Sequence, residues 1–227
     1  MEIGRLHAFA IHLLISLAIF AALLGAMWLW FFPGALFAAA GGWQGVQIIA
    51  LVDLVLGPCL TLIVFNRRKP SAELRRDLTL IGLIQVVALA GGVYAAHLVR
   101  PLAVVQVFDT LYVHNQESLS IKGFDLEAQK RLTGWLPRFY YVPVPGTPEE
   151  FLQQHIKDVL NGATPLQERY DLFQPMPGAP EQLGALLRAG SKEMDGCLRV
   201  DIESSYTKGS VCVDTQRMRL YDFIESQ

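Results

Sequence analysis

Charge is missing from the start of this chain. Between Leu6 and Val52 there is no Asp, Glu, Lys or Arg. A soluble fold of 227 residues has no use for so long an uncharged run, whereas a helix crossing a bilayer needs about 20 apolar residues in succession. The absence therefore excludes an ordinary soluble protein. Cysteine is scarce too: there are three, and no two form a C-x-x-C pair, which argues against a thiol oxidoreductase. The C-terminal half has no metal-ligand spacing, no glycine-rich phosphate loop and no nucleophile elbow. Its His114 and His155 stand alone and are expected to be solvated rather than catalytic. No enzymatic activity, cofactor or metal is expected.

What is present falls into two halves. Residues 1–100 carry seven Lys/Arg against four Asp/Glu, and residues 101–227 carry twelve against seventeen. The acidic second half lacks the basic footprint that nucleic acid demands. The first half holds three apolar segments, at about 8–32, 46–65 and 78–98, each long enough to span. Interfacial aromatics flank them: Trp28, Trp30, Phe31 and Phe32 close the first, Trp43 precedes the second and Tyr94 lies near the end of the third. The first segment competes with a cleaved signal peptide, but about 25 apolar residues exceed the usual 7–15 of such a peptide's core, so an uncleaved anchor is expected.

Orientation follows from where the cations lie. Arg67, Arg68, Lys69, Arg75 and Arg76 crowd the 66–77 loop, which should be cytoplasmic, and the uncharged 33–45 loop should be outside. Three crossings then put residues 101–227 in the periplasm. The expected architecture is a three-helix transmembrane domain over 1–100, followed by a small periplasmic α+β domain with an antiparallel sheet over 101–227.

Polar groups inside the apolar segments carry the most information. A carboxylate such as Asp53 costs roughly 2.5–3.5 kcal/mol at the centre of a membrane helix, so it should face a partner and not lipid. Asp53, Gly57 and Thr61 recur every four residues and share one helix face, and Pro58 should bend the helix there. By depth, Thr61 should lie level with Gln85, His12 and Ser16, making Gln85 a better match for Thr61 than for Asp53. Gly25, Gly91 and Gly92 should lie at the level of Asp53, where small residues let helices approach. Three readings stand side by side: these groups hold three helices together, they form a partner-binding or gating face, or they relay protons, although a relay usually needs a longer chain of ionisable groups. His12 is read as a hydrogen-bonded packing residue, and Cys59 as a small hydrophobe.

In the second half, Val99-Arg100-Pro101 should end the third helix. Residues 102–113, rich in β-branched and aromatic types, read as one strand. Segments 126–136 and 148–160 read as helices, the latter capped by Thr147, and 180–189 as a short third. Segments 196–203, 210–215 and 217–224 read as strands, with 204–209 a turn. Cys197 and Cys212 suit a disulfide if the domain faces an oxidising compartment, and two reduced core cysteines are the alternative. Paired face to face, they would set Val200 opposite Gly209.

The wording of the membrane half is specific. The run from Phe32 through Trp43 (FPGALFAAAGGW), then Asp53-Leu54-Val55-Leu56-Gly57-Pro58, the stretch from Leu60 to Asn66 (LTLIVFN), Lys69-Pro70, Glu73-Leu74-Arg75-Arg76-Asp77-Leu78, Gln85 and Arg100-Pro101 resemble the type IV pilin accessory proteins. The likeness covers about residues 30–105 and extends to the C-terminal half only in general plan. It implies a multi-pass inner-membrane protein that aids assembly or dynamics of its cognate pilus, with the cognate major type IV pilin, and the pilus assembly machinery beside it, as partners. The chain is not expected to be a pilin, since no Gly-Phe-type processing site precedes its first apolar segment. A membrane sensor reading a periplasmic signal is the alternative, although a twelve-residue basic loop would need a cytoplasmic partner to carry output.

Overall fold

The structure, a computed structural model, describes residues 4–66, 69–121, 130, 132, 134–144, 148–188, 192–194 and 197–226. Arg67, Arg68, Thr147 and most of the expected 126–136 helix lie outside the described residues. The chain forms two compact units: Met1–Leu29 with Gly42–His97, and Trp30–Gly41 with Leu98–Gln227.

The first unit is helical. Three helices, Arg5–Phe31, Gly42–Val64 and Ser71–Val99, are long and apolar enough to cross a membrane. The first and third bury few of their apolar side chains against protein. Leu14, Ile15, Leu83 and Val87 are all more than half exposed, and a helix that is apolar on every side without being buried suits lipid. The middle helix packs along the first. It is made of a π-helical stretch, Leu51–Leu56, followed by an α-helical stretch, Gly57–Val64. Pro58 thus sits in the first turn of that second stretch, directly after the π-helical residues.

The second unit is built on a sheet of eight strands among the described residues: β1 (Pro101–Val107), β2 (Thr110–Asn115), β3 (Arg138–Tyr141), β4 (Gln174–Pro175), β5 (Lys192–Met194), β6 (Cys197–Glu203), β7 (Lys208–Asp214) and β8 (Arg219–Glu225). Their order is β4-β3-β1-β2-β6-β7-β8, with β5 beside β6. The sheet is mixed rather than antiparallel throughout: β1 runs parallel to β3, and β2 parallel to β6. Central β1 is buried along its whole length, which explains its unbroken apolar run, since a strand covered on both faces loses the alternation of a half-exposed one. Leu102, Ala103, Val105 and Val107 join Leu119, Leu132 and Leu166 in one core cluster.

The single strand expected over 102–113 is in fact a tight hairpin. Phe108 takes a left-handed φ of 55° and reverses the chain between β1 and β2. Neither Phe108 nor Asp109 belongs to the Gly-containing pairs that signal such a turn. The helices Pro148–Leu160 and Pro180–Arg188 form as expected. His114 departs from its expected solvation: it is 1% exposed, on β2, with the Phe173 ring 6.2 Å away. His155 stacks on Phe151 and accepts a hydrogen bond from the Leu166 amide at 3.3 Å.

Cys197 and Cys212 form a disulfide. Its register differs from face-to-face pairing: Arg199 lies opposite Cys212 and Val200 opposite Val211, with Gly209 opposite Ile202. The cysteines bridge diagonally on one face of the hairpin. A four-residue turn fixes this register, because the Ser204 hydroxyl accepts from the amides of Tyr206 and Thr207, both at 3.0 Å. The shift of two keeps the same faces and brings Val200, Ile202 and Val211 together, each at most 2% exposed.

The apolar 33–45 loop is largely structural. A short helix, Leu36–Ala39, packs against β8, and Phe32, Leu36 and Ala39 are buried. The Ala35 amide donates to the Leu220 carbonyl at 2.9 Å and the Thr207 hydroxyl to the Ala39 carbonyl at 2.8 Å. Gly34 has φ +63°, and a Cβ there would run into the Leu220 carbonyl, so this position demands glycine.

Candidate functional site

The candidate site lies within the helical unit, where five sequence-selected residues meet. Asp53 and Thr61 are 4% and 3% exposed. Gly57 and Pro58 are buried between them along the middle helix. Gln85 reaches this face from the third helix, and a Cβ at Gly57 would overlap its carboxamide. Gly57 is therefore the opening that admits Gln85.

A directed chain of hydrogen bonds links the three helices. The His12 ring lies between Thr61 and Gln85, with Nδ1 2.5 Å from the Thr61 hydroxyl and Nε2 2.7 Å from Gln85 Oε1. Gln85 Nε2 donates to Asp53 Oδ1 at 3.3 Å, and the Ser16 hydroxyl donates to the same oxygen at 3.3 Å. Gln85 thus offers its oxygen to His12 and its amide hydrogens to Asp53. With the imidazole proton on Nε2, every link donates toward Asp53: Thr61 to His12, His12 to Gln85, Gln85 to Asp53. Asp53 is the terminal acceptor. Its Oδ2 is buried and has no hydrogen-bond partner among the described residues, an arrangement that disfavours burial unless a further group completes it.

His12 is hydrogen-bonded, as expected. Two depth assignments change. Gln85 bonds Asp53 directly and reaches Thr61 only through His12, and Ser16 pairs with Asp53. The eight residues from Asp53 to Thr61 rise about 12 Å along a helix, and two long side chains, His12 and Gln85, bridge that gap. The glycines expected at the level of Asp53 do less: a Cβ at Gly25 or Gly91 would meet nothing within 4 Å, and one at Gly92 would meet Ile49 at 3.4 Å.

The same polar residues floor a groove of about 490 Å³. Ile11, Ile15 and Ile19 of the first helix form one wall; Gly82, Val86 and Leu89 of the third form the other. Ile15 and Val86 are 55% and 64% exposed. The walls run about 16 Å along each helix, from Ala8 to Ile19 and from Leu78 to Leu89, room for three turns of another helix. The chemistry offered is recognition of an apolar rod with one polar group at a set depth. No His/Cys/Asp/Glu cluster among the described residues could hold a metal ion.

Comparison with known proteins places the chain. It is 34% identical over 103 residues to a fimbrial assembly protein of serogroups C1 and C2 of Dichelobacter nodosus, a match covering 45% of this chain and 79% of that relative. The chain belongs to the fimbrial assembly proteins. The serogroup I and serogroup E1 fimbrial assembly proteins of the same organism match at 35% and 33% identity over 103 residues, 45% of this chain but 40% of each relative's length. No protein-family model and no solved structure matches the chain.

In this fimbrial assembly protein the remaining selected residues that are described do not line the groove. Lys69 pairs with Asp77 at 2.7 Å, and Arg75 and Arg76 are exposed at the start of the third helix. Cys197 and Cys212 belong to the sheet unit. Sequence reasoning left two features incomplete. His12 and Ser16 are spaced by four on one face of the first helix, a signal that pointed to the polar chain without revealing which partners it would take. The docking of the 33–45 loop had a weaker sign, its glycines among small apolar residues.

Proposed function

We propose that this fimbrial assembly protein is an inner-membrane factor of type IV fimbrial biogenesis. It holds the apolar helix of a fimbrial subunit in the groove between its first and third helices until the subunit is used. It is not an enzyme. The observation that carries this reading is Asp53: a buried carboxyl group at the end of a hydrogen-bond chain, with one oxygen lacking a partner among the described residues, beneath a groove of helix length. A polar group presented by the incoming helix completes Asp53, and exposed apolar walls receive the rest. The names of the relatives supply the pathway.

The membrane topology has its own support. The Trp30–Gly41 segment shares a compact unit with Leu98–Gln227, and two long helices separate them in the chain. If both helices cross the bilayer, both segments reach the same side, as their docking requires. Lys69, Arg75 and Arg76 stand at the other end, which is cytoplasmic by the positive-inside rule. The disulfide fits an oxidising compartment such as the periplasm.

Asp53→Leu tests the reading in cells. With the variant at its normal level in the membrane, surface fimbriae should fall sharply. Unchanged fimbriation would reduce Asp53 to a packing residue.

A further inference from the structure

We propose that the 134–137 loop of the sheet unit rests in the membrane–water interface, with Trp135 and Leu136 in contact with lipid. Arg100 carries the argument. It follows directly on Val99, the last residue of the third long helix, and its guanidinium lies over the ring of Phe31, 5.9 Å from the centroid. Phe31 is the last residue of the first long helix. Two apolar helices therefore end at one level, marked by Arg100. The Arg100 side chain also donates to the Trp135 carbonyl at 3.4 Å, which ties the loop to that level.

At this level the loop presents apolar surface. Trp135 is 83% exposed and Leu136 54%. A bare Trp-Leu pair is unfavourable in water, whereas the headgroup region suits an indole, which is apolar in body and carries one N–H donor. Trp30, in the last turn of the first helix, is 59% exposed and extends the same aromatic belt. A guanidinium beside the belt suits the phosphate layer.

The inference rests on the reading that the long helices cross a bilayer, and the test separates the two. The full chain, with Trp28, Trp30 and Trp43 changed to Phe, is placed in phospholipid nanodiscs carrying bromine either near the glycerol end or deep in the acyl chain. Trp135 fluorescence should be blue-shifted, protected from aqueous iodide, and quenched more by shallow than by deep bromine. Should the triple variant fail to fold, the difference between the native chain and Trp135→Phe gives the same readout. Iodide quenching as complete as for a free tryptophan analogue, with no effect of bromine, overturns the proposal while leaving the membrane reading intact. A chain that does not co-purify with nanodiscs overturns both.

Discussion

Gly57→Ala probes the polar chain most sharply, because two effects of opposite sign meet there. The added methyl would overlap the Gln85 carboxamide, the far end of a flexible side chain, so the helix tolerates it only by turning Gln85 aside. That breaks the Gln85–Asp53 bond at 3.3 Å and the His12–Gln85 bond at 2.7 Å. Side-chain hydrogen bonds between membrane helices contribute about 0.6 kcal/mol on average and at most about 1.7, so the pair is worth about 1–3 kcal/mol. Against this, alanine favours a helix over glycine by about 1 kcal/mol in water. A double-mutant cycle separates the terms. In the native chain Gly57→Ala should be neutral or destabilising. In a Gln85→Ala background, with nothing left to displace, the same change should stabilise. Equilibrium unfolding of the purified chain in bicelles measures all four corners. The expected coupling is about 1–3 kcal/mol. Equal effects of Gly57→Ala in both backgrounds, within about 0.5 kcal/mol, would refute the account of Gly57 as the opening for Gln85.

Three further outcomes follow from the same geometry. The Cys197–Cys212 bridge closes a separation of 15 residues, so reduction, or Cys212→Ser, should destabilise the sheet unit by about 3 kcal/mol in denaturant titration, while Cys59→Ser should not; equal stability with and without reductant would contradict this. Gly34→Ala puts a Cβ into the Leu220 carbonyl at a φ of +63°, a conformation that opposes other residues by about 1–2 kcal/mol. The loop should loosen from β8, read as faster exchange of the Ala35 amide, and native exchange would count against that docking. Alkaline phosphatase fused after Gln227 should be active and the same reporter fused after Asp77 inactive; the reverse pattern would invert the topology.

The three long helices were legible because hydropathy over 20 residues is a bulk property, insensitive to detail. So were the strands near the C-terminus, where apolar and polar residues alternate. The polar face at Asp53, Gly57 and Thr61 could be read from its spacing of four, since one helix fixes it. Partner choice could not: whether Gln85 meets Thr61 or Asp53 depends on how three helices cross and on the reach of His12 and Gln85, and neither is encoded locally. The β1–β2 turn was hidden because Phe108 adopts a left-handed conformation that its side chain does not advertise. The hairpin register lies two residues from direct opposition of the cysteines because Ser204 sets the turn through its hydroxyl, a contact that cysteine spacing does not encode. The burial of His114 follows from strand order: β2 lies between β1 and β6, an arrangement decided by pairings distant in sequence.

The groove's role can be read directly by photo-cross-linking in fimbriated cells, with the photoreactive residue at Ile15 or Val86, on opposite walls, or at Ile63, exposed on the middle helix and outside the groove. The account predicts adducts with the fimbrial subunit from Ile15 and Val86, few from Ile63, and loss of the groove adducts when Asp53→Leu is added. Groove positions that never capture the subunit, or an equal yield from Ile63, would contradict it.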